Sequence, residues 1–123
     1  MVTAIGLDLV EIERIVRDID RFGQRFVDRI LSPAERRLYA GRLDQPQFLA
    51  GRFAAKEAAV KALGRYLDRR PPWSALEILP DPSGQPQLHL PDNWRAQLGA
   101  AQCLLSITHE KKYAAAVAVL SES

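Results

Sequence analysis

The sequence predicts a single α+β domain over residues 1–123, with a mostly antiparallel sheet, one long helix and several short ones. A length of 123 residues favours one domain over two. The hydrophobic fraction of 47% and the charged fraction of 26% are typical of a globular chain with a buried core. The hydrophobic period changes along the chain in the order β-α-α-α-β-β-α-β-β, which favours an α+β domain over alternating βα units.

The N-terminal part begins as a strand and continues as a helix. Residues 3–10 are a short, mostly apolar run, which is typical of a buried strand. From Glu11 onward apolar residues recur with helical spacing, which predicts an amphipathic helix that Gly23 divides into two segments. The apolar face of this helix consists of Ile12, Ile15, Val16, Ile19, Phe22, Phe26 and Ile30.

Two further helices follow. Ser32, Pro33 and Glu35 stand at the positions of a capping box with proline at the first helical residue, so a short helix begins there. A long, alanine-rich helix is predicted over residues 45–63, and Gly64 ends it.

The C-terminal half combines short strands with turns. Residues 65–73 are basic and contain prolines, so we expect a loop there. The elements predicted after it are a strand over 75–79, a turn over 81–84, a strand over 86–90, a short helix from Pro91 to Gly99, and a hairpin of strands over 104–108 and 113–120.

Composition excludes several classes of protein. No apolar run reaches the length of about 18 residues that a membrane span requires. The N-terminus lacks the basic leader of a signal peptide, and the single cysteine, Cys103, can build neither a disulfide nor a zinc site, so we expect a cytoplasmic protein. The formal net charge of +2 is too small to indicate nucleic-acid binding.

Basic side chains are concentrated in the first half of the chain. Residues 1–70 contain 14 basic residues, 12 of them arginine, against 10 acidic ones, whereas residues 71–123 contain 3 against 5. Because arginine suits bidentate recognition of phosphate or carboxylate groups, the asymmetry suggests an anionic partner. A high-GC coding bias explains the arginine preference equally well.

Asp8 is the first candidate functional residue because it lies inside an apolar strand. A carboxylate there is costly unless it is paired, protonated or bound to a metal. The alternative is that Asp8 lies at the end of the strand and caps the helix that begins near Glu11.

Glu57 and Lys61 are the second candidates. They are four residues apart on the long helix and share one face, and Arg52 is expected near that face on the preceding turn. Magnesium prefers one or two carboxylates, waters and phosphate oxygens, so Asp8 opposite Glu57 suits a metal-bound phosphate group. The alternative is a surface Glu–Lys pair worth roughly a few tenths of a kcal/mol.

Ser106, Thr108 and His109 are the third set. Ser106 and Thr108 share one face of a predicted strand, and His109 stands at the corner of the hairpin, where it could equally be a structural turn residue. A serine hydrolase is not expected, because the chain has no G-x-S-x-G motif. It also has no glycine-rich phosphate loop of the Walker or dinucleotide type.

Several motifs occur in one order along the chain. They are a G-x-D strand, an R-F-x-x-K-E-A-x-x-K-A helix and an S-x-[ST]-H strand end, and the matching segments are residues 5–11 with Arg14, 25–26, 29–32, 48–58 with Lys61 and Ala62, 84–86 and 106–109. In this combination the chain resembles the holo-[acyl-carrier-protein] synthase type of 4′-phosphopantetheinyl transferase, essentially from end to end.

The resemblance implies an enzyme that moves the 4′-phosphopantetheine group of coenzyme A onto a serine of apo acyl carrier protein. The other product is adenosine 3′,5′-bisphosphate, and the pathway is fatty-acid or polyketide biosynthesis. The resemblance also implies Mg²⁺ as cofactor and a homotrimer with active sites between subunits. It implies neither nucleic acid nor a membrane as a partner.

Roles for individual residues follow from the same resemblance. The implied metal ligands are Asp8 and Glu57, and the implied phosphate-binding residues are Lys61, Arg52 and Lys56. The positions around the nucleotide are Gly84, Pro86, Ser106 and His109. The catalytic residues are expected to be Glu57, Lys61 and His109, and the base that takes the serine proton is a metal-bound water, Glu57 or His109.

The first predicted helix also carries a row of arginines. They lie roughly opposite its apolar face and suit docking of an acidic carrier protein; the row consists of Arg14, Arg17, Arg21, Arg25 and Arg29. A non-catalytic module that binds an acidic protein or RNA also explains these arginines. That alternative leaves Asp8 and the Glu57/Lys61 pair unexplained.

Overall fold

The structure, a computed structural model, describes residues 1–123. One turn of 3₁₀ helix, Trp73–Ala75, precedes the second strand. The elements in chain order are β1 (Val2–Glu11), α1 (Ile12–Phe22), α2 (Gln24–Ile30), α3 (Pro33–Ala40), α4 (Gln45–Leu63), β2 (Glu77–Pro80), β3 (Pro86–His89), α5 (Asp92–Leu98), β4 (Gln102–His109) and β5 (Tyr113–Ser121). The α+β class is therefore confirmed.

The strands form two antiparallel sheets. β5 is the central strand of a three-stranded sheet in the order β1-β5-β4, and β2 and β3 form a separate hairpin. In the larger sheet Asp8 of β1 and Ile107 of β4 both pair with Ala116 of β5, so these three residues form one row across the sheet. Ala114, Ala116 and Ala118 of β5 are buried, and their small side chains let α4 pack closely on this face.

Small residues also bring α4 close to β1. A Cβ atom on Gly6 would overlap the carbonyl oxygen of Ala58 and lie 3.0 Å from the backbone nitrogen of Ala62. Glycine is thus the side chain that this contact permits. The close approach places Asp8, two residues after Gly6, beside the middle of α4.

The helix predicted over residues 12–30 is two helices, because Gly23 adopts a φ of +64° and redirects the chain. Ile12, Ile15 and Ile30 of the predicted apolar face are buried. Phe22 is an exception, since it is the last residue of α1 and is 50% exposed.

The capping box of α3 is confirmed. Ser32 Oγ accepts a hydrogen bond from the backbone N–H of Glu35 at 3.2 Å, and Glu35 Oε1 accepts one from the backbone N–H of Ser32 at 2.8 Å. The bounds predicted for α4 are also confirmed, although Gly64 ends the helix with right-handed backbone angles and not with a left-handed cap. β2 begins at Glu77 because the preceding residues form the 3₁₀ turn.

The face of the β1-β5-β4 sheet that points away from α4 is apolar and exposed. Ile5, Leu7 and Leu9 of β1 are 64–65% exposed, and Leu104 of β4 is 58% exposed. We call this surface the outer sheet face. A contiguous apolar patch of this kind commonly marks an interaction surface. None of the helices is both long enough and apolar enough to cross a membrane.

Candidate active site

The carboxylate of Asp8 is paired with a cation from α4. Lys61 Nζ lies 3.2 Å from Asp8 Oδ1 and also donates a hydrogen bond to the carbonyl oxygen of Leu7 at 2.8 Å. The side chains of Asp8 and Lys61 are 19% and 55% exposed, so a ligand from solvent can approach both. Asp8 does not cap α1, because Glu11 occupies the N-cap position. The capping alternative is therefore wrong.

Glu57 stands one helical turn before Lys61 but pairs with a different cation. Arg70, from the loop after α4, donates a hydrogen bond from Nη2 to Glu57 Oε2 at 3.0 Å. The surface Glu57–Lys61 pair is not formed, since each of these residues takes a partner from another segment. Because Lys61 touches Asp8 and shares a face of α4 with Glu57, both carboxylates lie on one side of the β1–α4 contact. We call Asp8, Glu57, Lys61 and Arg70 the carboxylate cluster.

The carboxylate oxygens of Asp8 and Glu57 are ligands of the kind that suits a magnesium ion with bound phosphate. Two carboxylates are the usual protein contribution to such an ion, and phosphate oxygens and waters supply the other ligands. The chain contains no group of three or more His, Cys, Asp or Glu side chains that could hold a metal. Lys61 and Arg70 balance the carboxylate charge in this structure, and the hydrogen-bond donors of both side chains would suit phosphate oxygens.

Arg52 lies in a second cluster on a different side of α4. Its Nε donates a hydrogen bond to the carbonyl oxygen of Ile78 at 3.1 Å, and its guanidinium carbon is 4.5 Å from the ring centroid of Phe48. The expectation that Arg52 stands near the Glu57 face is wrong, because five residues turn an α-helix through about 140°.

A cavity of about 260 Å³ lies beside Arg52, and its lining includes Asp44, which accepts hydrogen bonds from Arg42 at 2.7 and 2.9 Å. Arg42, Gly84 and His109 line the same cavity. Burial lowers the pKa of Arg52, the Glu35 carboxylate opposes this effect, and the charge of Arg42 lowers the pKa further. Because Arg42 is already paired with Asp44, the Arg52 guanidinium and the His109 imidazole are the groups of this cavity that suit an anionic group such as a phosphate. We call Arg42, Arg52 and His109 the arginine cluster.

Lys56 does not face either cluster, which corrects the expectation that it binds phosphate. Its side chain is 0% exposed. Nζ donates hydrogen bonds to Glu35 Oε1 at 2.6 Å and to the carbonyl oxygens of Ile30 at 2.6 Å and Trp73 at 3.0 Å. Burial lowers the pKa of Lys56, and the Glu35 carboxylate opposes that effect. With all three donor positions used, Lys56 connects α4 to α2, α3 and the 3₁₀ turn.

The other residues expected around the nucleotide are dispersed in a single chain. Gly84, with a φ of +90°, forms a turn beside Arg52 and His109. Pro86 lines a separate cavity of about 480 Å³ between β3, α5 and β4. Ser106 lies on the outer sheet face, because it alternates with the partly buried residues of β4. One chain thus groups Gly84 and His109 with Arg52, but neither Pro86 nor Ser106.

The arginine row of α1 and α2 borders a groove of about 580 Å³. Arg21, Arg25 and Arg29 line this groove together, although Gly23 separates the two helices. Phe22 and Trp73 supply an apolar part of its lining. We call this feature the arginine groove.

The first two arginines of the row do not line the groove. Arg14 Nε lies 3.9 Å from Asp18 Oδ2, and Arg17 Nη2 lies 3.5 Å from Glu11 Oε1. Both arginines are more than half exposed, and ion pairs of this kind contribute little to stability. They remain available to an acidic partner.

Sequence reasoning missed Arg70 of the carboxylate cluster, Arg42 of the arginine cluster, and Phe48, whose ring packs against Arg52. Phe48 could have been found, because it stands four residues before Arg52 on the same helix and an aromatic ring suits a guanidinium at that spacing. Arg70 and Arg42 come from irregular segments, whose path depends on tertiary packing. No local pattern could have found them.

Comparison with known proteins identifies relatives over the whole chain. Residues 4–118 match the family model described as ACPS, the 4′-phosphopantetheinyl transferase superfamily. The holo-[acyl-carrier-protein] synthase of Protochlamydia amoebophila (strain UWE25) is 40% identical over 121 residues, which are 98% of this chain and 99% of the relative.

Solved structures agree with that match. The crystal structure of holo-[acyl-carrier-protein] synthase from Neisseria meningitidis has a TM-score of 0.89 and 32% identity, covering 99% of this chain and 100% of that one. The enzyme from Bacillus anthracis str. Ames, solved in complex with CoA (3′,5′-ADP), has a TM-score of 0.82 and 34% identity, covering 100% of this chain and 99% of that one.

Proposed function

The chain belongs to the 4′-phosphopantetheinyl transferase superfamily, and from this premise we propose how its residues transfer the 4′-phosphopantetheine group of coenzyme A to a serine of an acyl carrier protein. In this reaction the serine oxygen forms a bond to the β-phosphorus of coenzyme A. The bond from that phosphorus to the bridging oxygen breaks, and adenosine 3′,5′-bisphosphate leaves with that oxygen. The serine proton passes to a base.

One observation carries the assignment of the site. The carboxylate cluster places Asp8 and Glu57 on one side of the β1–α4 contact, and each acid has a cation within 3.2 Å. Carboxylates with adjacent cations match what a magnesium–diphosphate group requires, because the ion needs oxygen ligands and the phosphates need positive charge.

The residues of the carboxylate cluster have separate roles. Asp8 and Glu57 would hold the magnesium ion, which when bound supplies Lewis-acid polarisation of a phosphoryl oxygen. Lys61 donates hydrogen bonds to diphosphate oxygens and stabilises the negative charge that develops on the leaving group. Glu57 and His109 are the side chains proposed as candidates for the base, and they belong to different clusters.

The arginine cluster is the proposed site for another phosphate of coenzyme A. Arg52 and His109 donate hydrogen bonds to that phosphate, and Gly84 leaves room for it because it has no side chain. Pro86 and Ser106 retain their proposed positions around the nucleotide only if a second chain contributes to the site. The proposed assembly is therefore one in which each active site combines residues of two chains.

A homotrimer is the proposed assembly, and the outer sheet face is its proposed interface. Leu7 and Leu9 of this face are 65% and 64% exposed in one chain, and burial against other copies would remove that apolar surface from water. The arginine groove is the proposed docking surface for the acidic carrier protein, with Arg14 and Arg17 as outer contacts. We propose the cytoplasm as the compartment, where the carrier and coenzyme A are available.

The experiment that tests the function is a transfer assay. The chain is incubated with coenzyme A, magnesium and an apo carrier protein, and the carrier is analysed by mass spectrometry. We expect the carrier to gain one phosphopantetheine group in the presence of magnesium, and to gain none in EDTA or when its acceptor serine is replaced by alanine. A carrier that stays unmodified by this chain under all conditions would contradict the function.

A further inference from the structure

The buried carboxylate of Glu35 lies between two cations of α4, Arg52 and Lys56, and has no part in the chemistry proposed above. Its Oε1 accepts hydrogen bonds from Lys56 Nζ at 2.6 Å and from the backbone N–H of Ser32 at 2.8 Å. Its Oε2 accepts the backbone N–H of Ile78 at 2.9 Å and lies 3.8 Å from Arg52 Nε. The side chain of Glu35 is 0% exposed, so no solvent shares these contacts.

We propose that Glu35 is a positioning residue, which holds Arg52 in the orientation that binds coenzyme A. The inference rests on the proposed function, because it takes Arg52 as a coenzyme A ligand. Glu35 itself touches no substrate and acts only through Arg52.

The hydrogen bonds around Ile78 explain how the orientation is held. The N–H of Ile78 donates to Glu35 and its carbonyl oxygen accepts from Arg52 Nε, so one residue of β2 is held between the two side chains. Since Nε is committed to Ile78, the terminal nitrogens of Arg52 are the donors left for the cavity that His109 also lines. The contact with Phe48 fixes the plane of the guanidinium group.

Charge balance explains why the positioning residue is an acid. Arg52 and Lys56 are one helical turn apart on α4, and their side chains are only 13% and 0% exposed. Glu35 has a carboxylate oxygen within 4 Å of both cations. Without this negative charge two neighbouring cations would be buried together. Lys56 can lose its proton, whereas Arg52 keeps its charge at any ordinary pH, so Arg52 is the side chain that would move toward solvent.

Glu35→Gln is the variant that tests the proposal, since it keeps the size of the side chain and removes its charge. We expect the Kd for coenzyme A, measured by titration calorimetry, to rise about tenfold, which corresponds to the loss of one well-oriented charged hydrogen bond. The KM for coenzyme A should rise with it, whereas kcat and the KM for the carrier should change by less than about twofold.

A double-mutant cycle separates positioning from general destabilisation. On an Arg52→Ala background, Glu35→Gln should cause no further loss of coenzyme A affinity, because the side chain that it orients is gone. A further loss as large as in the wild-type background would overturn the proposal. So would a Glu35→Gln protein that is folded and binds coenzyme A as the wild type does.

Lys56→Met is the matched control, because it breaks the same buried pair from the other side and leaves Glu35 beside Arg52. We expect its Tm to fall and its affinity for coenzyme A to stay within about twofold of the wild type. An affinity loss equal to that of Glu35→Gln would show that the fold, and not the orientation of Arg52, is responsible.

If Glu35→Gln does not fold, the double variant Glu35→Gln/Lys56→Met is the test. In the double variant the charge of Lys56 is removed as well, so no unpaired ammonium group is buried. This protein should fold and still lose coenzyme A affinity, and unchanged affinity in it would overturn the proposal. A wild-type chain that neither binds coenzyme A nor modifies a carrier would contradict the proposed function instead. The two failures are therefore distinguishable.

Discussion

Asp8 and Glu57 each form an ion pair with a cation from another segment of the chain. Asp8 pairs with Lys61, and Glu57 pairs with Arg70. These pairs are partly exposed, so each contributes at most about 1 kcal/mol to folding. This small contribution to folding is consistent with the ligand-binding role proposed for the two carboxylates.

We predict that Asp8→Ala and Glu57→Ala each abolish transfer and leave the fold intact, because each removes a proposed metal ligand and no core volume. Wild-type Tm should rise on addition of magnesium with coenzyme A, since these ligands bind only the folded chain, and the rise should be lost in both variants. Glu13→Ala, at an exposed acid of α1, is the control and should behave as the wild type. Near-normal turnover of Asp8→Ala at low magnesium would contradict the metal assignment.

Cys103 is a second residue whose surroundings predict a measurable property. Burial raises the pKa of its thiol from 9.0 to about 11. An unfolded chain ionises this thiol near pH 9 while the folded chain keeps the proton, so the folded state loses stability as the pH rises from 9 to about 11.

Urea unfolding of the wild type and of Cys103→Ala on both sides of this range should reveal the effect. Below pH 9 the difference in unfolding free energy between the two proteins should be constant. Near pH 11 the wild type should have lost roughly 2 kcal/mol more than the variant. Parallel pH profiles would show that the thiol ionises as freely in the folded chain as in the unfolded one.

At the scale of elements, the contact between β1 and α4 decides where the carboxylate cluster forms. Gly6 has no room for a side chain against Ala58, and this closeness brings Asp8 within reach of Lys61. We predict that Gly6→Ala lowers the free energy of unfolding by about 3 kcal/mol or more, since backbone atoms must separate to admit the methyl group. Gly41→Ala, where the nearest atom would be 3.8 Å away, should change it by less than about 0.5 kcal/mol.

Chemical denaturation of the two variants checks this prediction. If Gly6→Ala is as stable as Gly41→Ala, the β1–α4 contact is loose enough to admit a methyl group. In that case Asp8 and Lys61 would also be less firmly paired.

The arginine row is a second feature of whole elements, because α1 and α2 together present it. Acyl carrier proteins are acidic, so we predict that Arg21→Glu and Arg14→Glu each raise the KM for the carrier several-fold. This rise corresponds to a loss of binding free energy on the order of 1–2 kcal/mol. The larger effect is expected at Arg21, because Arg21 lines the arginine groove. The KM for coenzyme A should change much less. Arg37→Glu on α3 is the control and should leave both values unchanged.

Ionic strength provides an independent check of the same surface. Added salt should weaken carrier binding in the wild type and do so less in the charge-reversal variants. A carrier KM that is insensitive to salt and to both substitutions would show that the row is a solvated face.

At the scale of the whole molecule, the carboxylate cluster and the arginine cluster lie on different sides of α4, and the outer sheet face remains uncovered. The proposed assembly, in which neighbouring chains complete each other's sites, would account for both features. We predict that inactive Asp8→Ala and inactive His109→Ala chains regain part of the activity when they are mixed and allowed to exchange subunits, because some sites then combine two intact residues.

The oligomeric state tests the same assembly. Light scattering should give the mass of a trimer for the wild type, and Leu7→Glu on the outer sheet face should lower both the mass and the activity, because charge on an apolar interface opposes association. A fully active monomer would contradict the shared site.

The sequence by itself determined the features that depend on residues within one or two turns of each other. The capping box at Ser32 and Glu35, the bounds of α4 and the break at Gly23 are all local, because hydrogen bonds and side-chain spacing inside a single element decide them. The family motifs are likewise short segments. They placed Asp8 and Glu57 among the candidate residues before any contact was known.

Only the tertiary structure decided which side chains are partners. Lys61 and Asp8 are 53 positions apart in the chain, and Lys56 and Glu35 are 21 apart, so no periodic pattern links them. Lys56 and Glu57 are neighbours in sequence, yet one is buried in the core and the other borders the solvent, since consecutive residues of a helix point about 100° apart. Burial and pairing depend on how distant elements pack, and for that reason the partners of Lys56, Arg52 and Arg70 could be identified only from the folded chain.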